Sequence, residues 1–377
     1  MIGVSRVSVN DCTANFVRHQ SRCVKLVPAD NNNKAATARE AQVVQAGSYR
    51  IGGALALMVI LLGALGGCST LGFGHKPLNE LKARYETKDS RYVDIDGTEV
   101  HYRIEGNLDG PTLLLIHAVT ASLQTWDGWV DNLKDNYRIV RLDMPGCGLT
   151  GPFVNSDDYS PEALEHFLAQ FIDKVGLDHF DLAGNSQGAM VAWMYAIKHP
   201  DHVDKMVLIQ PIAYPQKLPQ IIDFITMPVI RDIGYVMAPK FLVTTIARQV
   251  YGDPDRLNDR IIDRYFDLEQ RKGNRVAMLK TLVQLRHISH TEKYARMVPL
   301  IKVPTMIEWG EKDNFLPRAV LERWHHDLPK APIVIYPWGG HITMEEVPMQ
   351  TSRDADRFFS GLPIKSNMWI ESTEIQD

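Results

Sequence analysis

Residues 181–190 read DLAGNSQGAM, an apolar run that gives way to a serine set between two glycines. The spacing Gly184-Asn185-Ser186-Gln187-Gly188 fits G-x-S-x-G, in which a strand breaks sharply into a helix and holds the serine at the tip of the turn. Such a turn leaves no room for a Cβ two residues to either side, and glycine meets that demand. The pentapeptide alone turns up by accident in roughly one chain in ten of this length. Its reading therefore depends on a strand before it, a helix after it, and an acid and a histidine further on.

The flanking sequence supplies the strand and the helix. HFDLAGN (179–185) is one of several short, continuously apolar runs, with PTLLLIH (111–117), YRIVRLD (137–143), VDKMVLIQ (203–210), VPTMIEWG (303–310) and APIVIYP (331–337). Runs of this kind suit strands covered on both faces. Ahead of them, RYVDIDGTEVHYRIEG reads as two strands around the hairpin signal Asp96-Gly97. Helices are expected between the runs. One starts at Ser160-Pro161-Glu162, an N-cap, a first-turn proline and an acid suited to the helix dipole, and the helix after Ser186 runs to Pro200. The alternation predicts an α/β fold, a mostly parallel sheet flanked by helices.

Residues 211–298 break the rhythm. They carry helical patches and no convincing strand, and they are too many for a loop, so they read as a helical cap. The expected organisation is residues 1–47 unstructured or untranslated, 48–67 a signal peptide and 68–88 a linker. A core of 89–210 and 299–362 then encloses the cap at 211–298, with a tail at 363–377.

Length and composition suit one large folded domain with an insertion, or two small domains: 377 residues, 45% hydrophobic and 23% charged. Residues 1–67 hold 7 Lys/Arg against 3 Asp/Glu, which leaves 34 against 42 in the remainder. A net acidic body with scattered basic residues excludes the usual footprint of a nucleic-acid binder. Arg50 precedes an apolar stretch, Ala54 to Leu65, of the length of a secretory h-region, and Leu65-Gly66-Gly67-Cys68 follows. This resembles the lipobox of bacterial lipoproteins, which implies that Cys68 is lipidated and becomes the mature N-terminus. With Ser69 next, it also implies a place in the cell envelope, on the periplasmic side of the outer membrane. An uncleaved anchor and a buried helix are the alternatives. A signal beginning near residue 48 raises a further one, a true start at Val43 or Val44. Of Cys12, Cys23, Cys68 and Cys147, only the last would then be a free thiol, and no zinc-type spacing is present.

Four motifs stand in order along 90–360: HAVTAS (117–122), DMPGCGLT (143–150), the GNSQG turn, and GEKDNFLP (310–317) with GGHITMEEVP (339–348). In these the chain resembles the α/β-hydrolase superfamily, its serine esterases and lipases in particular. The resemblance implies Ser186 as nucleophile, Asp313 as acid and His341 as base, with oxyanion donors in the backbone N–H groups of Val119 and Gln187. His117 is expected to support that loop, in which Ala118 replaces the family's usual glycine. The chemistry has its own reason for three groups. A serine hydroxyl is a poor nucleophile until an imidazole takes its proton, and the imidazole needs a carboxylate to fix its tautomer. The implied activity is cleavage of a small-molecule carboxylic ester through an acyl-enzyme, with no metal or organic cofactor. Carbon–carbon bond hydrolase, thioesterase, acyltransferase and perhydrolase chemistry would use the same triad, and a non-catalytic binding protein on this fold is a further alternative. Trp126, Trp309 and Trp338 could line the substrate pocket or pack in the core. The cap is expected to be separable from the chemistry.

Overall fold

The computed structural model describes residues 70–364, all within one compact unit spanning Gly66–Asp377. The segment expected to be a signal peptide, and Cys68 with it, lies outside the described residues. Eight strands form a single sheet in the order β1-β2-β4-β3-β5-β6-β7-β8. They are β1 Ser90–Ile95, β2 Thr98–Gly106, β3 Thr112–Ile116, β4 Arg138–Leu142, β5 Phe180–Asn185, β6 Val203–Ile209, β7 Thr305–Gly310 and β8 Ile333–Tyr336. β2 runs antiparallel to β1 and β4, and the other neighbouring pairs are parallel. The expected hairpin is present, with Asp96 and Gly97 both at positive φ (49° and 81°), as a tight two-residue connection requires.

β5 and β7 are buried at all six positions each, which explains why they read as unbroken apolar runs. One core lies on each face of the sheet. Leu114, Ile116, Leu182 and Leu208 pack on one face with Phe167, Trp193 and Trp324; Leu113, Ala183 and Met306 face the other, with Trp126, Trp129 and Phe359. Trp309 is also buried in the core, and neither it nor Trp126 nor the exposed Trp338 lines the cavity described below.

Residues 68–88, expected as a linker, contain a helix, α1 (Leu78–Tyr85). It buries Leu81 alone and so shows no apolar stripe in sequence. What holds it is tertiary: Arg84 pairs with Asp267, the Tyr85 hydroxyl donates to Asp267 (2.8 Å), and Arg103 donates to the Tyr85 carbonyl (2.6 Å). The remaining helices of the core are α2 (Asp127–Leu133), α3 (Pro161–Val175) and α4 (Gln187–Lys198). In α3 the Ser160 hydroxyl caps the first turn, accepting from Ala163 N–H at 3.3 Å, and Gly176 closes the helix at positive φ. Between β6 and β7 lie α5 (Gln220–Ile225), α6 (Pro228–Gly234), α7 (Lys240–Val250), α8 (Asp259–Glu269) and α9 (Asn274–Ile288), with no strand among residues 211–298. α10 (Arg318–Asp327), α11 (Thr343–Glu346) and α12 (Pro348–Phe359) complete the described chain. No helix among the described residues is long and apolar enough to cross a membrane.

Asp143, just past β4, ties this scaffold together. One carboxylate oxygen accepts from Leu123 N–H (2.8 Å); the other meets Leu149 N–H (2.8 Å) and His101 Nδ1 (2.7 Å). Burial alone would raise the carboxyl's pKa, but the His101 contact and the backbone donors outweigh it and hold it well below the usual carboxylate range. A group lowered in the folded state adds stability above its unfolded pKa of about 3.9, and that stability fades as the pH falls further. We expect Asp143→Asn to cost about 2–3 kcal/mol at pH 7. The deficit should shrink when urea denaturation is repeated toward pH 3, and a deficit independent of pH would assign the loss to packing instead.

Candidate active site

The serine turn is dictated by backbone crowding. A Cβ on Gly188 would sit 2.4 Å from the carbonyl oxygens of Ile116 and His117, and one on Gly184 would sit 2.6 Å from that of Gly188. Helix α4 thus starts hard against the ends of β3 and β5. Ser186 is forced to φ 54°, ψ −114°, a conformation an L-residue adopts only under constraint. Ser186 N–H donates to the Ile209 carbonyl (2.9 Å), and its own carbonyl receives Met190 N–H (3.0 Å). The hydroxyl is therefore aimed by β6 and α4 together.

The structure brings Ser186, His341 and Asp313 into one row. Ser186 Oγ lies 2.8 Å from His341 Nε2, and His341 Nδ1 lies 2.7 Å from Asp313 Oδ2. The Asp313 carboxyl is buried and receives three more donors: Phe315 N–H (2.6 Å) and Leu316 N–H (3.2 Å) at Oδ1, and the Gln210 amide (2.7 Å) at Oδ2. The other carboxylates of the late loops are occupied elsewhere. Glu311 pairs with Arg318, Glu345 with Arg264, and Glu346 accepts the N–H groups of Gly252, Asp253 and Gly340.

Gln187 opens α4, and Val119 lies in the loop after β3. Among the described residues no acceptor takes the N–H of either. His117 is fully buried, and burial lowers its pKa against the smaller opposing pulls of Asp143 and the Ala118 carbonyl. As a neutral ring it accepts Met144 N–H at Nε2 (3.0 Å) and donates from Nδ1 to the Ala118 carbonyl (2.7 Å), which locks the loop. The left-handed residue in this loop is Thr120 (φ 67°), so Ala118 is not asked to adopt a glycine conformation. Cys147 is a buried packing residue whose thiol burial pushes up to about 12.

A cavity of about 340 Å³ reaches Ser186 and His341. Most of its wall is apolar and comes from the cap, including Leu218, Ile222, Ile233, Leu242, Ile246 and Leu282.

Two features escape sequence reading. Gln210 directly follows β6, and at φ 47° its amide donates to Asp313 and to the Gly310 carbonyl (3.1 Å). Val250, the last residue of α7, accepts His341 N–H (2.8 Å). The cap is thus fastened by backbone to the histidine loop, a link that the expected separation of cap and chemistry has to accommodate. A second row of the same residue types, Ser90–His101–Asp143 (2.9 and 2.7 Å), has no such setting. Its histidine and aspartate are fully buried, none of the three lines the cavity, and Ser90 Oγ already accepts Thr87 N–H (3.1 Å).

Residues 111–348 match the family described as alpha/beta hydrolase fold. The chain belongs to the α/β-hydrolase family. It is 26% identical over 270 residues to a monoacylglycerol lipase, abhd6-B, of Xenopus laevis (68% of this chain, 77% of the relative). To Epoxide hydrolase 3 of Xenopus tropicalis it is 22% identical over 278 residues (68% and 73%). Among solved structures, a membrane phospholipase A described as a bacterial virulence factor superposes with a TM-score of 0.60 at 23% identity, over 83% of this chain and 98% of that one. These relatives share the fold and carry different activities in their names.

If Gln210 orients the acid, Gln210→Asn, which keeps an amide that tolerates positive φ but shortens its reach, should slow phosphonate labelling of Ser186 roughly tenfold. It should also move the pH midpoint of that labelling while leaving the unfolding midpoint within about 1 kcal/mol of the parent. Labelling with parent rate and pH profile would reduce Gln210 to loop packing.

Proposed function

We propose that this chain is a serine hydrolase that cleaves a carboxylic ester with an extended apolar acyl chain, through an acyl-enzyme on Ser186. The observation that carries the reading is a serine hydroxyl 2.8 Å from an imidazole, at the wall of a cavity whose lining is mostly apolar.

Each step follows from the contacts. His341 Nε2 takes the Ser186 proton as Oγ bonds to the ester carbonyl carbon, and Asp313 accepts from Nδ1 and stabilises the imidazolium. The carbonyl oxygen becomes negative and is met by the N–H groups of Val119 and Gln187, the latter at the positive end of α4. Collapse expels the alcohol, which leaves with the proton from Nε2. Water, deprotonated by the same nitrogen, then attacks the acyl-enzyme and releases the acid with Ser186 restored. None of this draws on a metal or organic cofactor.

We place this activity at a lipid surface, with Cys68 as the lipid anchor. The described chain begins at the cap: Lys240 N–H donates to the Thr70 carbonyl (3.0 Å), and Phe73 pairs with Met237 in an isolated bridge. Phe224, Met227, Val229, Ile233, Val236 and Phe241 are all exposed large apolar side chains of the same cap segment. An apolar face of this kind beside the proposed anchor suits contact with lipid.

Ser186→Ala should abolish phosphonate labelling and, like His341→Ala, lower kcat for p-nitrophenyl esters by several orders of magnitude. Asp313→Asn should cost on the order of 10⁴-fold, the scale known when a triad acid becomes an amide. Parent-level turnover in a folded Asp313→Asn protein would remove Asp313 from the triad. A labelled Ser186 without ester turnover would redirect the reading to another acyl acceptor. In cells expressing the full chain, Cys68→Ala should end incorporation of a fatty-acid analogue, and undiminished incorporation would refute the anchor.

A further inference from the structure

The wall of the cavity that reaches Ser186 holds a carboxyl that the ester reading leaves without a task. Glu269, the last residue of α8, is the single carboxyl among the described residues that line it. Among the other polar groups of the wall, Gln216 Oε1 and the Tyr251 hydroxyl also lack a partner, but neither carries a titratable carboxyl, and the rest are engaged. Tyr214 donates to Asp327, Tyr265 to Glu345, and Ser289 to the Arg286 carbonyl. Glu269 has no hydrogen bond or ion pair with any described residue. Arg275, the cation whose charge acts on it, spends its two terminal nitrogens on the carbonyls of Gly72 and Gly74.

A carboxyl without a partner in a mostly apolar wall is costly, and a ligand group that meets it removes the cost. We propose that Glu269 is a specificity residue that receives a hydroxyl group of the substrate, so that the ester cleaved here carries both an apolar chain and a free hydroxyl. This rests on the ester reading and goes beyond it by naming the polar half of the substrate.

The chemistry of the carboxyl selects a hydroxyl over a cation. Burial pushes Glu269 up to about 7, against a smaller opposite pull from Arg275, and its place at the negative end of α8 acts in the same direction as burial. Near neutrality a good share of the group is therefore protonated. In that form it offers one O–H donor and one carbonyl acceptor, the complement of an alcohol that both accepts and donates. An ammonium would need the ionised form, which this site disfavours.

The hydroxyl can come from the alcohol part of the ester, as in a monoacylglycerol, or from a hydroxylated acyl chain, and the test separates the two. One pair of substrates is a 1-monoacylglycerol and the methyl ester of the same acid. The other pair is the methyl ester of a hydroxy fatty acid and of its unsubstituted parent. Glu269→Leu should lower kcat/KM for the hydroxylated member of one pair by roughly 10- to 100-fold and leave or improve its plain partner. Glu269→Gln, which keeps a donor and an acceptor, should retain most of the preference. Loss in the first pair assigns the hydroxyl to the alcohol, and loss in the second assigns it to the acyl chain. An equal change in both members of both pairs, or none, overturns the proposal. A binding arm needs no turnover: the Ser186→Ala protein should bind a 1-O-alkylglycerol ether about tenfold more tightly than the Ser186→Ala/Glu269→Leu protein, with no such difference for the corresponding alkyl methyl ether. Failure of the ester reading would show as absent turnover with this binding difference intact, whereas failure of the Glu269 assignment would show as intact turnover with no difference.

Discussion

Everything at the site depends on how closely α4 is allowed to approach the end of β3. Two glycines remove the side chains that would strike the carbonyls of Ile116 and His117 and the first turn of the helix itself. The residue between them is then left at positive φ with no freedom to relax. The cost of that conformation, of order 1–3 kcal/mol, is carried by the rest of the sheet. In return, one turn sets three things at once: the direction of the Ser186 hydroxyl, the N–H of Gln187, and the start of a helix whose positive end faces the same spot. A looser packing of helix on strand would disperse all three.

The pair of Ser–His–Asp rows shows that residue types and distances do not make a site. Ser90, His101 and Asp143 are linked as closely as Ser186, His341 and Asp313. In the first, the aspartate spends its oxygens on the backbone of two loops, and the serine accepts a local N–H. In the second, the row ends on a strained turn at the wall of a cavity, with two backbone donors left over. Surroundings decide which row can act on a ligand and which one serves as a clamp.

Much of this architecture was legible because it follows short-range rules. Unbroken apolar runs become strands buried on both faces, Asp96-Gly97 makes the hairpin, Ser160-Pro161 starts a helix, and G-x-S-x-G marks the turn. The order of serine, acid and histidine motifs along the chain pointed to three side chains that the fold brings together. What stayed hidden depends on contacts between distant segments. Helix α1 has no apolar face to announce it and exists through Asp267, more than 180 residues away. Gln210 acts through a side-chain amide directed at an aspartate 103 positions later. Glu269 looks in sequence like one more acid at a helix end, and only the lining of the cavity sets it apart.

The bond from His341 N–H to the Val250 carbonyl has a consequence for how the molecule fails. Glu346 reinforces it by gripping Gly252 and Asp253 just beyond α7 together with Gly340 beside the histidine. Short cap helices open at lower free energy than an eight-stranded sheet. Because the histidine loop shares its backbone bonding with the end of α7, fraying there releases the base while the strands remain paired. Heat inactivation and global melting then become separate events. Stiffening the segment from Val250 to Asp253 would extend the working lifetime of the site without moving the melting temperature of the sheet.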